Sequence, residues 1–348
     1  MVLSHATIRE VAERANVSIS TVSRILNGKS GHRASTVESV RRIASEIDRE
    51  EAQSAASLQA PESIGIVMAA FSNFLNTSYN STLISAILEA LTVEGFTTQF
   101  VTRCYSQMNA VFFRNVVRSY RLKGLLIPEF DISYAVSREL ASFGIPVVSI
   151  GNRNGAEMRC NICVDDFSAG CDAATYLWSL GHRSFGFIGM SQLDIGQRQR
   201  LTGFRETIRE LGGRPEDIWI REFRHIGDST TLAALELSRM PERPTALFST
   251  NSLMTQKLIS DLHRLGIDTP EDISIISFEE NGELEFLNTP VTVIAQPTRQ
   301  MGKAAVNALV RLLHGYPVEA RHRLDYALVI RESTRSCKPH NLNTEEKK

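Results

Sequence analysis

The sequence predicts an α/β protein: an N-terminal all-α helix-turn-helix head followed by a larger, two-lobed, doubly wound α/β domain. Three observations predict it. Residues 7–28 hold two short amphipathic helical patterns separated by a tight turn. From Ile64 onward, short apolar runs alternate with amphipathic stretches of helical period, the cadence of parallel βαβ units. Glycines stand where helical stretches hand over to the next apolar run, at Gly95, Gly144, Gly181, Gly212 and Gly266, as helix C-termini require.

In the head, Thr7 precedes Glu10 by three residues, the spacing of a capping box, and Ile8, Val11, Ala12 and Ala15 follow at helical spacing. A first helix is therefore expected to start at Thr7. Asn16 and Val17 make the turn, Ser18 is a natural N-cap for a second helix, and Val22, Ile25 and Leu26 give that helix a buried face. Asn27 and Gly28 end it. The other face carries Ile19, Ser20, Thr21, Ser23 and Arg24, short, polar or forked side chains of the kind with which a helix-turn-helix reads base edges. Ser35 and Glu38 repeat the capping-box spacing, and Val37, Val40, Ile43, Ala44 and Ile47 supply a third helix to close the core. The alternative is three solvated helices with no nucleic-acid role.

Thr7 to Gly28 resembles the N-terminal signature of the lactose-repressor (LacI/GalR) family of bacterial transcription regulators, and the resemblance extends along most of the chain. It implies a repressor, controlled by a sugar or other small polar effector, that binds double-stranded, pseudo-palindromic operator DNA as a homodimer. Its body would be a periplasmic-binding-protein-like effector domain. The DNA-binding residues would be Thr7, Ser18, Ile19, Ser20, Thr21, Ser23, Arg24 and Asn27, with Leu58 entering the minor groove from a hinge helix and Ala55 as its small neighbour. The segment Ala52 to Pro61 is alanine-rich and helix-competent but too short to hold a helix alone, so the alternative is a plain linker. Acidic residues stand before it where the family commonly has Tyr-x-Pro-Asn.

Composition agrees with a globular protein of two or three units: 348 residues, 43% hydrophobic and 22% charged, with no apolar run of membrane-spanning length. The N-terminus has no signal-peptide core, which makes the cytoplasm the expected location. Net charge is −1, yet residues 1–35 hold five Arg or Lys against two Glu, a modestly basic end. Glu46, Asp48, Glu50 and Glu51 then reverse the sign. The five cysteines are odd in number and scattered, against a disulfide scaffold. Cys160 and Cys163 have metal-ligand spacing but no partner pair, so they read as a strand with two buried thiols, and neither metal nor cofactor is expected.

Strands are expected at Ile64 to Met68, Gln99 to Thr102, Gly124 to Ile127, Pro146 to Ile150, Phe185 to Gly189, Ala246 to Ser249, Ile273 to Phe278, Thr292 to Ile294 and Leu328 to Ile330, with a helix at about Thr298 to Leu313. Ligands of open parallel sheets bind beyond the carboxyl ends of the strands. The residues that follow the runs are polar: Ser72, Glu129, Asn152, Arg153, Gln192, Asp194, Asn251, Glu279, Glu280 and Gln296. Such groups suit the hydroxyls of a sugar-like solute, although each alone is also what a solvated loop would hold. The family resemblance adds Arg200, in an Arg-x-x-Gly-aromatic motif, as an effector ligand, and matches Asn251 to an asparagine at a strand end. Ser277 to Glu280 replaces a Gly-Tyr-Asp-Asp pattern. The resulting effector set is Ser72, Arg153, Arg200, Asn251, Glu279 and Gln296. His182, in a helix-ending Leu-Gly-His-Arg segment, reads as structural.

The expected boundaries are a head over 1–49, a hinge over 50–61, an effector-binding and dimerisation domain over 62–335, and a polar tail over 336–348. The tail has no leucine heptads. An enzyme is not expected, since neither G-x-G-x-x-G nor a P-loop nor a nucleophile motif occurs. The remaining alternative is an α/β sugar-binding or sugar-metabolising protein whose helical head does not bind DNA.

Overall fold

A computed structural model describes residues 5–28, 31, 33–57, 62–69, 78–103, 109–128, 140, 142–151, 160–190, 195–223, 229–279 and 282–337. The chain divides into two compact units, Met1–Glu62 and Ser63–Lys348. In the first, α1 (His5–Arg14), α2 (Ile19–Leu26) and α3 (Ala34–Ser57) enclose their own core of Val11, Ala12, Val22, Ile25, Val40, Ile43, Ala44 and Ile47. Asn16 turns the chain at φ 51° between α1 and α2, and Ser18 caps α2, its side chain accepting from the Thr21 amide at 3.2 Å.

Both capping-box spacings mislead by a residue or two. The first helix starts at His5, so Thr7 lies inside its first turn. The third starts at Ala34, with the Thr36 and Val37 amides donating to the Arg33 carbonyl, so Ser35 also lies inside. A hydroxyl residue is tolerated within a first turn, and the spacing alone does not choose between capping and occupying it. No glycine or proline interrupts residues 34–60, and α3 runs unbroken through the expected head–hinge boundary to Ser57.

The second unit holds two six-stranded sheets. The first contains β1 (Ser63–Ala69), β2 (Thr97–Arg103), β3 (Gly124–Pro128), β4 (Val147–Ile150), β5 (Cys160–Cys163) and β11 (Arg321–Arg323), in the order β11-β5-β4-β3-β1-β2, all parallel. The second contains β6 (Phe185–Met190), β7 (Trp219–Phe223), β8 (Ala246–Ser249), β9 (Ser274–Phe278), β10 (Thr292–Ala295) and β12 (Ala327–Val329), in the order β12-β10-β9-β8-β6-β7. Only the β10–β12 pair is antiparallel. The chain passes from one sheet to the other after β5, after β10 and after β11, so the two lobes share three crossovers.

Of the helices, α4 (Ser78–Val93) and α5 (Ala110–Ser119) belong to the first lobe. The second lobe has α6 (Asp166–Ser179), α7 (Ile195–Glu210), α8 (Ser229–Arg239), α9 (Ser252–Arg264) and the short α10 (Gly282–Glu285). The helix α11 (Thr298–Leu313) follows a second-lobe strand but returns to the first lobe, where it packs on α4 and against β3, β4 and β5. A single apolar cluster runs through both lobes, from Ile64, Leu83 and Val148 to Phe187, Phe204 and Phe248. The five expected helix-ending glycines have φ from 74° to 89°, the left-handed conformation their positions predicted. His182 is buried with one ring nitrogen 2.9 Å from the Thr245 hydroxyl and the other 3.0 Å from the Arg335 carbonyl oxygen, a clamp on the C-terminal segment.

Cys160 and Cys163 lie buried in β5, and burial pushes the Cys160 thiol up to about 11, with Glu319 and Cys163 adding to it. Among the described residues no cluster of three metal-ligating side chains is present, and no helix is long and apolar enough to cross a membrane.

Candidate functional site

Two groups of predicted residues are brought together, one in each unit. In the head, Val22 and Ile25 turn one side of α2 into the core, which leaves Ser18, Ile19, Ser20, Arg24 and Asn27 exposed on the other. Ile19 keeps 48% of its surface in solvent, unusual for an isoleucine in a small domain with its own core. The Ser18 hydroxyl lies 2.9 Å from the hydroxyls of both Ser20 and Thr21, and Asn27 reaches Ser23 only at 3.5 Å. These contacts orient hydroxyls over the first turn and leave their remaining donors and acceptors open to a partner. The side chain of Thr7, and Leu58 altogether, lie outside the described residues.

In the body, four of the six predicted effector residues gather at one end of the second sheet. Glu279 and Gln296 directly follow β9 and β10, and Asn251 follows β8 after Thr250; the three strands are neighbours in the sheet. Arg200, on α7, reaches the same end: its Nη1 donates to the Thr250 carbonyl at 3.1 Å, and its guanidinium lies 3.7 Å from the centre of the Phe278 ring. Ser72 and Arg153 lie outside the described residues, as do Glu129, Asn152, Gln192, Asp194 and Glu280.

The arginine is more enclosed than a solvent-facing ligand fork. It is 6% exposed, and its Nε donates to the Asp166 carboxylate at 3.0 Å and to the Gly196 carbonyl at 3.3 Å. Asp166, itself 4% exposed, is the first residue of α6, where the chain has just crossed from the first lobe. Helices α6 and α7 approach closely because of Gly170 and Gly203: a Cβ on either would stand 2.1 Å from a carbonyl oxygen of the facing helix. Gly196 completes the fit, since a Cβ there would lie 2.9 Å from Asp166 and 3.1 Å from the Arg200 guanidinium. Sequence reasoning misses this role of Asp166, because nothing local joins two residues 34 positions apart.

Glu279 is likewise buried, and its carboxylate accepts from the Asn251 amide at 3.2 Å and from the backbone and hydroxyl of Ser252 at 3.4 Å each. Ser252 opens α9 and Asn251 is its N-cap, so the carboxylate sits on the positive end of a helix. Glu279 holds φ 77°, a left-handed conformation costing a non-glycine residue about 1–3 kcal/mol. Behind it, Thr255, Ser249 and Ser277 join buried hydroxyls at 2.7 and 2.8 Å, and Thr250 bonds Gln197. The cluster therefore presents a preset polar wall: a charge-compensated Arg200–Asp166 pair beside a buried carboxylate. Such a wall can bind a neutral solute through hydrogen bonds without importing an unpaired charge.

Comparisons with known proteins agree with this division. Residues 7–48 match the profile of bacterial regulatory proteins, lacI family, and residues 174–334 match a periplasmic binding protein-like domain. The chain is 27% identical to the HTH-type transcriptional repressor CytR of Escherichia coli (strain K12), over 95% of this chain and 97% of that one. It is 28% identical to the HTH-type transcriptional regulator DegA of Bacillus subtilis (strain 168), over 85% and 88%. It is 27% identical to the HTH-type transcriptional repressor PurR of Photobacterium profundum, over 95% and 99%. Among solved structures, a lac repressor dimer bound to operator and an anti-inducer superposes with a TM-score of 0.69 at 21% identity, covering 94% of this chain and 98% of that one. A transcriptional regulator CelR–cellobiose complex does so at 0.69 and 24%, covering 94% and 99%. An exposed helix face on its own three-helix core, a two-lobed body with a polar sheet end, and matches to both parts in one chain lead to one conclusion: the protein joins a helix-turn-helix head of the lacI family of bacterial regulatory proteins to a periplasmic binding protein-like domain.

Proposed function

We propose that the protein is a cytoplasmic transcriptional repressor that binds a pseudo-palindromic operator as a homodimer and is released from it or held on it by a small polar effector, and that it is not an enzyme. The observation that carries this reading is the exposed face of α2, where Ile19 and Ser20 stand clear of the core on a helix whose start is capped by Ser18. Ile19 suits a thymine methyl, Ser20 a base edge, and Arg24 a phosphate or guanine. One short helix reads too few base pairs to be selective, which is the reason for two copies on two half-sites. Similar proteins support it: a lac repressor dimer is seen on operator, and related regulators are seen with cellobiose and with ribose.

Residues 1–49 act as the head and 50–61 as the hinge, continuing α3, with Leu58 in the minor groove. Residues 62–335 bind effector and form the dimer, and 336–348 are a tail. Arg200, Asn251, Glu279 and Gln296, with Ser72 and Arg153 from the first lobe, contact the effector. Hydroxyl-rich solutes suit this wall, whose amide and carboxylate acceptors stand beside a guanidinium already neutralised by Asp166.

The reading is tested by selecting binding sites from random-sequence duplex DNA with the full chain and with Ile19→Ala/Ser20→Ala. The wild type is expected to enrich a pseudo-palindrome, and the double variant a different half-site at unchanged dimer mass. Enrichment of the same half-site by both proteins would refute the assignment of the reading helix. A thermal-shift panel of sugars, sugar acids and phosphorylated sugars then identifies the effector class, because a ligand at a hundred times its Kd adds about 2.7 kcal/mol of stability.

A further inference from the structure

The first lobe carries a cavity of about 450 Å³ that shares no residue with the cluster around Arg200. It opens between α11 and the segment that leads into and through β11, over the edge formed by β5 and β11. One wall is a stripe of α11: Lys303, Asn307 and Arg311 follow at intervals of four, so they share a face and span about 12 Å over two turns. Lys303 and Asn307 are exposed and have no partner among the described residues. Arg311 uses one nitrogen on the Pro317 carbonyl, at 3.2 Å, and keeps its other donors. The floor is apolar, with Ala304, Ala308, Ile162 and Val318, and buried Cys160 beside them. Among the described lining residues Glu319 is the only acid, and it lies 3.2 Å from His322, also in the lining.

We propose that this cavity is a second ligand site, built for a small amphipathic organic anion whose carboxylate or phosphate lies along the Lys303–Asn307–Arg311 stripe and whose apolar body covers the alanine floor. The size falls within the range of small-molecule sites. Charge and floor together select the ligand. A bare inorganic anion would satisfy the cations but leave the floor wet. A neutral apolar molecule would cover the floor but strip water from two cations without replacing it. A ligand with both parts does neither, and a charge-assisted contact to a guanidinium or ammonium is the stronger kind of hydrogen bond.

The test titrates the full-length protein by calorimetry with phenyl phosphate, inorganic phosphate and phenol. Phenyl phosphate is expected to bind once per chain, about tenfold or more tighter than either fragment. Two variants locate it. Lys303→Gln/Arg311→Gln removes the charges from exposed helix positions, and Ala304→Leu fills the floor from a half-buried one. Both substitutions suit a helix, and unchanged melting shows that the fold is kept. Each variant is expected to weaken phenyl phosphate about tenfold. The proposal is overturned by no measurable binding, by phosphate or phenol binding as tightly as phenyl phosphate, or by undiminished affinity in both variants. None of these results bears on DNA recognition, which uses the other unit.

Discussion

The reading face of α2 and the polar end of the second sheet are both rich in hydrogen-bonding groups, but they are built in opposite ways. Ser20, Arg24 and Asn27 stand exposed on a rigid helix, with at most hydroxyl contacts to their neighbours. Arg200, Asp166 and Glu279 are each under a tenth exposed and bonded to the protein. A surface that meets a large partner can leave its groups in water until contact, since water satisfies them meanwhile. Polar groups buried inside a lobe have no such reserve, so they must be paired with protein. The exposed side chains of α2 are thus free to change without cost to the fold, while those of the sheet-end cluster are part of the fold.

The sharpest way to break this comparison is Arg200→Ala. It removes the guanidinium that neutralises the buried Asp166 carboxylate, and removing one partner of a buried ion pair costs about 3–5 kcal/mol. Chemical denaturation should show that loss in the body. Replacing both residues with leucine should recover part of it; a double variant less stable than either single one would mean the pair is not the stabilising unit. Glu279→Ala comes next: Ser252 and Asn251 lose their acceptor, for about 1–3 kcal/mol. Glu279→Gly at the same left-handed φ should be milder than Glu279→Ala, and an equal loss would argue against backbone strain at this position.

In the head, Ser18→Ala removes the α2 cap and should lower head stability by about 1 kcal/mol, measurable as faster amide exchange in α2. Ser18→Gly should cost only a few tenths of that. Smallest of all in stability is Ile19→Ala/Ser20→Ala, expected within about 0.5 kcal/mol of wild type while changing, on the proposed function, the selected DNA sequence. A large destabilisation there would dissolve the contrast, because it would make the reading face part of the core.

Much of this architecture is legible in the chain because it is local. The Ser18 cap, the turn at Asn16, the helix over Thr298–Leu313 and the positive-φ glycines each depend on neighbours within about one or two turns, whose spacing is written in sequence order. Core strands such as Ala246–Ser249 are equally plain, as their apolar runs must fill a buried parallel sheet. Two of the four edge strands, β7 and β11, are not legible in this way. Trp219–Phe223 is half-buried throughout and Arg321–Arg323 is a polar Arg-His-Arg triplet paired on β5, so neither carries an apolar run, and only sheet registry makes them strands.

The family resemblance marked Arg200, Asn251 and Glu279 as residues of interest, and strand-end logic placed Asn251 and Glu279 beyond strands. What the sequence by itself determined is therefore the core strands, the Ser18 cap and the glycine helix ends, together with the polar residues that stand at the strand ends. Tertiary structure alone decided that α11 returns to the first lobe and that Asp166 meets Arg200 from 34 residues away. It also decided that Lys303 and Arg311 face an alanine-floored cavity. The physical reason is that pairing across a crossover is set by the closure of whole lobes, a free energy summed over many contacts, which no short window of residues encodes.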